Sequence, residues 1–278
     1  MAEITAALVR ELRDKTGAGM MECKKALSTT GGDLEAAIDE LRKSGLKTAA
    51  KKAGRETSEG RVLALIAADG KSGGLVSISC ETDFVAATPE FQGFLNDLAA
   101  HVLEHKPANL EACLAQPWKG EGTVADALTA LVGRLGENIQ ISNVAYYENA
   151  NGGVGAYVHH DNKKGALVSV TCPKPNQDTF KELCMHVVVF NPPFASRTQV
   201  PAEAVERERE VIKAGLEGKP ADIQEKIMVG RIEKFYGESV ITEQPWIKDD
   251  KSTVQKALEA ALGAGTQLVG FHRFEIGL

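Results

Sequence analysis

Residues 60–80 read GRVLALIAADGKSGGLVSISC, and residues 152–172 read GGVGAYVHHDNKKGALVSVTC. The two stretches align without a gap, and ten of their 21 positions are identical. In each stretch, two runs of largely apolar residues flank a polar loop, which is typical of a β-hairpin. A helix is predicted after each hairpin, over residues 90–102 and 178–187. The repeat therefore predicts an α+β fold with a duplicated core, in which antiparallel strands carry helices on one face.

Helical patterns flank and interrupt this duplicated core. Residues 1–55 carry three short amphipathic segments, which predict a three-helix module whose last helix ends near Gly45, and the basic stretch from Lys47 to Arg55 is consistent with a linker helix. Residues 201–236 carry two charge-rich segments around Gly218-Lys219-Pro220, which predict an antiparallel helical hairpin. The side chains expected to pack between its helices are Val205, Ile212 and Leu216 against Ile223, Ile227 and Ile232. The predicted boundaries are 1–55 for the module and linker, 56–148 for the first core half, 149–200 with 237–278 for the second, and 201–236 for the hairpin.

The composition disfavours several classes of protein. Lys and Arg total 32 against 38 Asp and Glu, a net charge of −6, whereas broad binding to nucleic acid requires a basic surface. No apolar run reaches the roughly 18 residues that span a membrane, and Met1-Ala2-Glu3 does not resemble the start of a signal peptide. Five cysteines without a Cys-x-x-Cys pair predict neither a disulfide framework nor a zinc site. We therefore expect a reduced, cytoplasmic protein that binds neither nucleic acid directly nor membranes.

Motifs of catalysis are scarce. The sequence contains no GxGxxG, GxxxxGK[ST] or HExxH motif. Lys71-Ser72-Gly73-Gly74 resembles a phosphate-binding loop but lies in a predicted hairpin. His159-His160-Asp161 could ligate a metal only if neighbouring strand residues, which point to opposite faces, were brought together. We therefore predict no catalytic residue, cofactor or metal, and a small-molecule enzyme that uses His159, His160 or a cysteine is the least favoured alternative.

The two copies of the repeat differ most after their shared cysteine. Residues 81–87 follow the cysteine of the first copy, whereas only residues 173–177 separate that of the second copy from its helix. An elaborated loop on a duplicated scaffold indicates a functional segment. Within it, Phe84 fits two interpretations: a core residue after a helix N-cap, or an exposed aromatic residue that inserts into a partner. Met20-Met21 leaves the same alternatives open, the module core or an adaptable contact surface.

Two long motifs carry a resemblance to a known family. Residues 12–27, LRDKTGAGMMECKKAL, resemble the N-terminal signature of the bacterial elongation factor Ts family, and residues 80–86, CETDFVA, resemble its second signature. Shorter motifs follow in the family's order: KKAGR at 51–55, GENI at 136–139, MHV at 185–187 and FHRFE at 271–275. The resemblance covers essentially the whole chain.

This resemblance implies a guanine-nucleotide exchange factor for elongation factor Tu. Members of the family have an N-terminal module resembling ubiquitin-associated domains, a duplicated α+β core and a protruding coiled-coil hairpin. In the family, a four-residue segment docks near the nucleotide site of elongation factor Tu, where its aromatic side chain inserts and Mg²⁺ is dislodged. By motif, this segment is Thr82, Asp83, Phe84 and Val85. Further contacts carried over by motif are Leu12, Met20, Met21 and His159.

The sequence departs from the family pattern at two internal places, and it stops at Leu278, where some members of the family continue into a further helix. Ser77 stands where many members have a glutamate, and residues 187–193, VVVFNPP, are bulkier than the small residues common there. An alternative from another functional class also stays open: an adaptor that binds partners through the helical module and the hairpin without accelerating exchange. A homodimer and a one-to-one complex with elongation factor Tu are both compatible with the sequence.

Overall fold

The computed structural model describes residues 4–120, 122–218 and 220–277. Its helices and small sheets confirm the α+β prediction. Lys219, in the break predicted between the hairpin helices, lies outside the described residues, as does Met1-Ala2-Glu3. The chain divides into two compact units: Met1–Val62 with Val76–Val144 and Glu275–Leu278, and Leu63–Leu75 with Ala145–Phe274.

The N-terminal module consists of α1 (Ala6–Thr16), α2 (Met20–Thr29) and α3 (Leu34–Lys52). Thr5 caps α1 by accepting a backbone N–H at 3.3 Å, and Asp33 caps α3 in the same way at 2.9 Å. Gly17 ends α1 in the left-handed conformation at φ +66°. The buried residues of the module are Val9, Leu12, Ala18, Cys23, Ala26, Leu27 and Ala37.

The third helix is longer than the sequence pattern predicts. It does not end near Gly45 but continues without a break to Lys52, so most of the predicted linker helix is the second part of α3 and not a separate element. The reason is local propensity, because a single glycine interrupts a run in which alanine, leucine and lysine dominate. The second part of α3 therefore extends beyond the module and reaches the first core half.

The first core half runs from β1 (Glu59–Ile66) to β3 (Ile139–Glu148). Between these strands lie β2 (Ser72–Cys80), α4 (Asp83–Ala86), α5 (Pro89–His105), α6 (Leu110–Ala115) and α7 (Val124–Leu135). The strands form one sheet in the order β1-β2-β3. The helix predicted over residues 90–102 is confirmed, with Pro89 at its first turn and Phe91 fully buried.

The second core half repeats this plan with an insertion. Its elements are β4 (Gly152–Val158), β5 (Lys164–Thr171), α8 (Gln177–Phe190), α9 (Ala202–Ala214), α10 (Ala221–Ser239), β6 (Pro245–Trp246), β7 (Asp249–Thr253), α11 (Val254–Leu262) and β8 (Gln267–Glu275). Strands β4 and β5 pair antiparallel with Gly152 opposite Thr171, which confirms the second predicted hairpin. Strand β8 joins this sheet in the order β4-β5-β8, and β6 pairs with β7.

The inserted helices α9 and α10 pack on each other through a small apolar cluster. Its buried residues are Ile212, Leu216 and Ile232, and Val205 and Ile227 pack beside them, as the sequence predicts. The prediction is wrong for Ile223, which is exposed. Ile223 lies in the first turn of α10, a full turn before Ile227, so it extends beyond the cluster.

A pair of glycines shows that the two hairpins are built alike. A Cβ atom on Gly60 would lie 2.1 Å from the carbonyl oxygen of Ile78, and one on Gly152 would lie 2.0 Å from that of Val170. Ile78 and Val170 occupy equivalent positions of the sequence repeat. Each hairpin therefore brings two backbones so close that only glycine fits.

The duplication extends further than the gap-free repeat. In the first half, His101 Nε2 lies 2.9 Å from Gln116 Oε1, and in the second half His186 Nε2 lies 2.9 Å from Gln244 Oε1. Each glutamine begins a Gln-Pro-Trp tripeptide, and the tryptophan rings lie 5.4 and 5.8 Å from the histidine rings. The paired residues are 15 apart in the first half and 58 apart in the second, because α9 and α10 intervene. This insertion hides the longer repeat from a gap-free alignment.

Candidate partner-binding site

Phe84 is the most exposed large apolar side chain among those that the structure describes, at 82%. It lies on α4, a single turn that follows the end of β2. Thr82 caps this turn by accepting the N–H of Val85 on its hydroxyl oxygen at 3.3 Å. The interpretation of Phe84 as a core residue is therefore wrong. Its neighbours Asp83 and Val85 are exposed and half-buried, respectively.

Hydrogen bonds to Glu137, which comes shortly after α7, hold this turn in place. The backbone N–H of Thr82 donates to Glu137 Oε2 at 3.0 Å, and the Thr82 hydroxyl donates to Glu137 Oε1 at 2.7 Å. Two hydrogen bonds from one residue to a carboxylate are strong and directional. The position of Phe84 is thus set by a residue more than 50 positions away in sequence.

A second carboxylate, that of Glu81, reinforces the same junction. Glu81 Oε1 accepts the N–H of Asn138 at 2.6 Å, and Arg55 lies 3.3 Å from the other carboxylate oxygen. The Asn138 side chain donates in turn to the carbonyl of Arg55 at 2.7 Å. The hydrogen bond from Asn138 and then the nearby guanidinium lower the pKa of Glu81. Residues from three separate sequence motifs therefore meet beneath α4.

The inner face of α4 is packed and hydrogen-bonded. Ala86 is fully buried, and the buried Cys80 donates its thiol proton to the carbonyl of Thr82 at 3.1 Å. The Thr88 hydroxyl donates to the carbonyl of Val85 at 2.8 Å and also accepts an N–H of α5. Because both ends of the turn are tied down, Phe84 is presented on a rigid support.

The second copy has no equivalent turn in residues 172–176, all of which the structure describes. There Asn176 caps α8 directly by accepting the N–H of Thr179 at 2.9 Å. Lys174 donates its N–H to the carbonyl of Leu262 at 3.0 Å. The segment that carries Phe84 in one half is therefore a plain connection in the other.

The helical module presents two methionines. Met20 and Met21 begin α2 and are 55% and 75% exposed, so the core interpretation is wrong for both. Glu22 accepts the N–H of Gly19 at 3.3 Å and so orders the first turn. Leu12, in contrast, is fully buried in the module core. It supports the module and presents no side-chain surface to a partner.

His159 lies half-buried just after β4, with its Nδ1 atom 3.0 Å from the Tyr157 hydroxyl. Asp161 accepts the N–H of Lys163 at 2.8 Å, a turn contact that lowers the pKa of Asp161. This segment forms the loop between β4 and β5. Within the described parts of the chain, no three His, Cys, Asp or Glu side chains are grouped so as to hold a metal ion.

The phosphate-like segment of the first copy is structural. Asp69 accepts the N–H of Lys71 at 2.9 Å, which reproduces the turn contact of Asp161 in the second copy. Ser72 to Gly74 belong to β2 rather than to the loop. A Cβ atom on Gly73 would lie 2.5 Å from the side chain of Ile66, so this glycine serves close packing. The segment offers no open loop to a phosphate.

The structure shows the surroundings of both internal departures from the family pattern, Ser77 and the bulky run on α8. Ser77 is fully buried and accepts a hydrogen bond from Asn143 Nδ2 at 3.3 Å. The bulky run after His186 buries Val187 and Val188 on α8 but leaves Val189 and Phe190 exposed at its end.

Comparisons with known proteins place the chain in a family. Residues 81–278 match the family model described as Elongation factor TS. Elongation factor Ts of Trichlorobacter lovleyi is 43% identical over 99% of this chain and 93% of its own length. The chain belongs to the elongation factor Ts family. Elongation factor Ts of Rhodospirillum rubrum is 45% identical over all of this chain, and that of Prosthecochloris aestuarii is 40% identical over the full length of both proteins.

Membership of the elongation factor Ts family makes this chain a translation elongation factor and confirms the resemblance found in the sequence. None of the described helices is both long and apolar enough to cross a membrane. The supporting residues Arg55, Glu81, Glu137 and Asn138 were not assigned a role from sequence. Each of these residues lies in one of the family motifs, which is the signal that the sequence offers. Which of the motifs contact one another is decided by the fold.

Proposed function

We propose that this protein is a guanine-nucleotide exchange factor that binds the GDP form of elongation factor Tu in the cytoplasm, dislodges its Mg²⁺ and promotes release of GDP. The observation that supports this most is Phe84, a strongly exposed aromatic side chain on one rigid turn. An aromatic residue offers a large contact area for little lost side-chain entropy. Its place within a motif of the elongation factor Ts family points to the partner.

The chemistry of the GTPase explains how such a contact releases nucleotide. A GTPase holds GDP through P-loop backbone amides, a lysine and a Mg²⁺ ion near the phosphates. When Mg²⁺ is displaced, the phosphate charge is less neutralised and the affinity for GDP falls. An exchange factor that binds the nucleotide-free form more tightly than the GDP form shifts the equilibrium toward release. By linkage, incoming GTP weakens the binding of the exchange factor and frees it.

The support beneath Phe84 suits this role. A side chain on a loose loop would lose conformational entropy on binding, and that loss would subtract from the affinity. The hydrogen bonds between Thr82 and Glu137 reduce this cost by ordering the turn in advance. The exposed pair Met20 and Met21 supplies a second apolar contact on the helical module.

The proposed activity breaks and forms no covalent bond. It therefore requires no general acid, general base, nucleophile or cofactor from this chain, and we propose that the protein is not an enzyme in the chemical sense. The cysteines fit this role, because burial raises the pKa of Cys80 to about 12 and that of Cys113 to about 11. Both thiols are then uncharged and unreactive at neutral pH.

The direct test is release of a fluorescent GDP analogue from elongation factor Tu with this protein at substoichiometric concentration and Mg²⁺ in excess. We expect multiple-turnover acceleration by the wild-type protein. Val211→Ala, which shortens another exposed apolar side chain on the inserted helices, is the matched control and should accelerate release as the wild type does. Binding without acceleration would contradict the proposal.

The inserted helices favour a second candidate function, that of an adaptor. Val211, Ile223 and Val229 are exposed on α9 and α10, where they could contact a partner other than a GTPase. Deletion of residues 204–236 should abolish an adaptor function but leave exchange driven by the core largely intact. Loss of exchange activity on this deletion, in a protein that still folds, would place the hairpin in the exchange mechanism instead.

A further inference from the structure

The helical module has a hydrophobic core of its own. The buried residues of that core and the apolar side chains packed against them all lie between Ile4 and Leu41. Helix α3 extends well beyond this range, to Lys52, and its second half packs on α7. Both helices belong to the same compact unit. The packing of α3 on α7 is therefore a distinct contact that orients the module on the first core half.

Two glycines, one on each helix, lie at a close approach within this contact. A Cβ atom on Gly133 of α7 would lie 3.2 Å from the Cα atom of Gly45 on α3. A Cβ atom on Gly45 would lie 4.0 Å from the carbonyl oxygen of Thr129, which is an ordinary contact. Glycine in a helix interior lowers the stability of the helix, so a glycine in each helix at the point where the two meet indicates close packing. The reason is that the two backbones approach more closely than side chains would permit.

The helices are not tightly packed beside this meeting point. A cavity of about 170 Å³ lies against the glycine contact. Its walls include Leu41 and Leu46 from α3 and Ala130 and Arg134 from α7. Because side chains leave this space unfilled, the backbone approach at Gly133 is one of the contacts that set how α3 lies on α7, beside the Arg134 side chain, which lies against Gly17 of the module.

Helix α7 is closely followed in sequence by Glu137, which holds the turn that carries Phe84. It ends at Leu135, Gly136 follows in the left-handed conformation at φ +74°, and Glu137 then binds Thr82. Gly133 and Glu137 are one helical turn apart in sequence. Within five residues the chain therefore contacts both the helix that carries the module and the turn that carries Phe84.

We propose that Gly133 is a positioning residue, which through Gly45 sets the placement of the Met20-Met21 surface relative to Phe84. This inference rests on the proposed function, in which both surfaces contact the same GTPase. Two rigid contact surfaces engage one partner together only if their spacing matches, and a mismatch loses the contribution of one of them. Gly133 touches no partner in this scheme.

The test compares Gly133→Val with Gly230→Val, the same change at a helical glycine of α10 that has open space around it. We expect Gly133→Val to lower the rate of stimulated GDP release about fivefold, the loss typical of removing one apolar contact. Gly230→Val should leave the rate unchanged. Gly133→Ala should give a smaller loss, and Gly45→Ala a smaller one still, because its new Cβ atom meets only an ordinary contact. Equal rates for Gly133→Val and the wild type would overturn the proposal.

Double mutants separate positioning from general damage. In a protein that already carries Met20→Ala and Met21→Ala, Gly133→Val should cause no further loss, because the misplaced surface contributes nothing. In a Phe84→Ala background it should still cause the same loss. The reverse pattern, coupling to Phe84 and not to the methionines, would mean that α7 was disturbed at Glu137, and it would refute the positioning role.

A distance measurement tests the same claim without the GTPase. Spin labels on Met21→Cys and Phe84→Cys would react selectively, because all five native cysteines are buried. Gly133→Val should shift the distance distribution between the labels, and Gly230→Val should not. An unchanged distribution would overturn the positioning role even if exchange were impaired. Absence of exchange in the wild type would instead reject the proposed function, and the label distances would still decide the placement.

Discussion

The two halves of the core share a hairpin followed by a helix, but they differ in the connection between the two and in the insertion of α9 and α10. Both contain a hairpin that admits only glycine at one position, Gly60 or Gly152, and both contain a His–Gln pair at 2.9 Å. After β2, however, the chain forms α4 and exposes Phe84, whereas after β5 it passes directly to the cap of α8. The shared features support the fold, and under the proposed function the differing connection is the one that carries the partner contact. If the proposal holds, duplication has left one copy with a plain connection while the other acquired a binding function.

The largest expected effect concerns a feature that both core halves share, the glycine at the close backbone contact of each hairpin. Gly60→Ala and Gly152→Ala should each lower the free energy of unfolding by about 3 kcal/mol, because the added methyl group meets a backbone carbonyl that cannot move aside. Chemical denaturation of each variant measures this loss. Gly230→Ala, at an open helical position, should raise stability slightly. A large loss for only one of the two core glycines would break the equivalence of the hairpins.

The second prediction tests the differing part. Phe84→Ala should slow stimulated GDP release about tenfold or more, as expected for an aromatic residue central to an interface. Its free energy of unfolding should change by less than about 0.5 kcal/mol, because the side chain is mostly in solvent. Fluorescent nucleotide release and thermal unfolding measure the two quantities. A strongly destabilised Phe84→Ala protein would show that the side chain belongs to the core after all.

The third prediction concerns the support of α4. Thr82→Val removes the hydroxyl that donates to Glu137 and caps the turn, at a cost of about 1 kcal/mol. We expect exchange to fall about fivefold, because Phe84 is no longer held in place. Thr82→Ser, which retains the hydroxyl, should restore most of the activity. Full activity of Thr82→Val would show that the order of the turn is unimportant.

The smallest effect concerns the shared His–Gln pairs. Burial lowers the pKa of His101 and His186 in the folded state below the usual value. The unfolded chain therefore binds more protons than the folded one, and stability should fall as the pH drops below about 6.5. His101→Asn and His186→Asn should each flatten this pH dependence, measured by denaturation between about pH 5 and 7. A dependence that both variants leave unaltered would place the titration elsewhere.

Several features of the fold followed from sequence for identifiable reasons. Both hairpins and the helices after them were predictable because apolar runs and polar loops recur at a fixed offset, and the residues packed in the α9–α10 cluster followed from helical spacing. The Gln-Pro-Trp repeat does not stand out in a gap-free alignment, because an insertion separates His186 from Gln244. The sequence pattern ends α3 too early, because a glycine such as Gly45 is typical of a helix end, whereas in the structure it lies inside α3 and contacts Gly133.

The site could be predicted only in part. A helix of four residues is too short for periodicity to distinguish its inner from its outer face, so sequence could not decide whether Phe84 or Ala86 is buried. For Met20 and Met21 the sequence leaves both alternatives open, because two adjacent residues at the start of a helix cannot both lie on its apolar face. The contact of Glu137 with Thr82 depends on how distant segments meet, which local pattern does not encode.

The most direct test of the account is the Mg²⁺ dependence of the Phe84→Ala defect. Stimulated GDP release by the wild type and by Phe84→Ala would be compared from excess Mg²⁺ down to excess chelator. If Phe84 acts by dislodging the ion, the ratio of the two rates should be large in excess Mg²⁺ and should approach one when no Mg²⁺ is bound. A ratio that stays constant across the series would contradict the account, because Phe84 would then contribute only to binding.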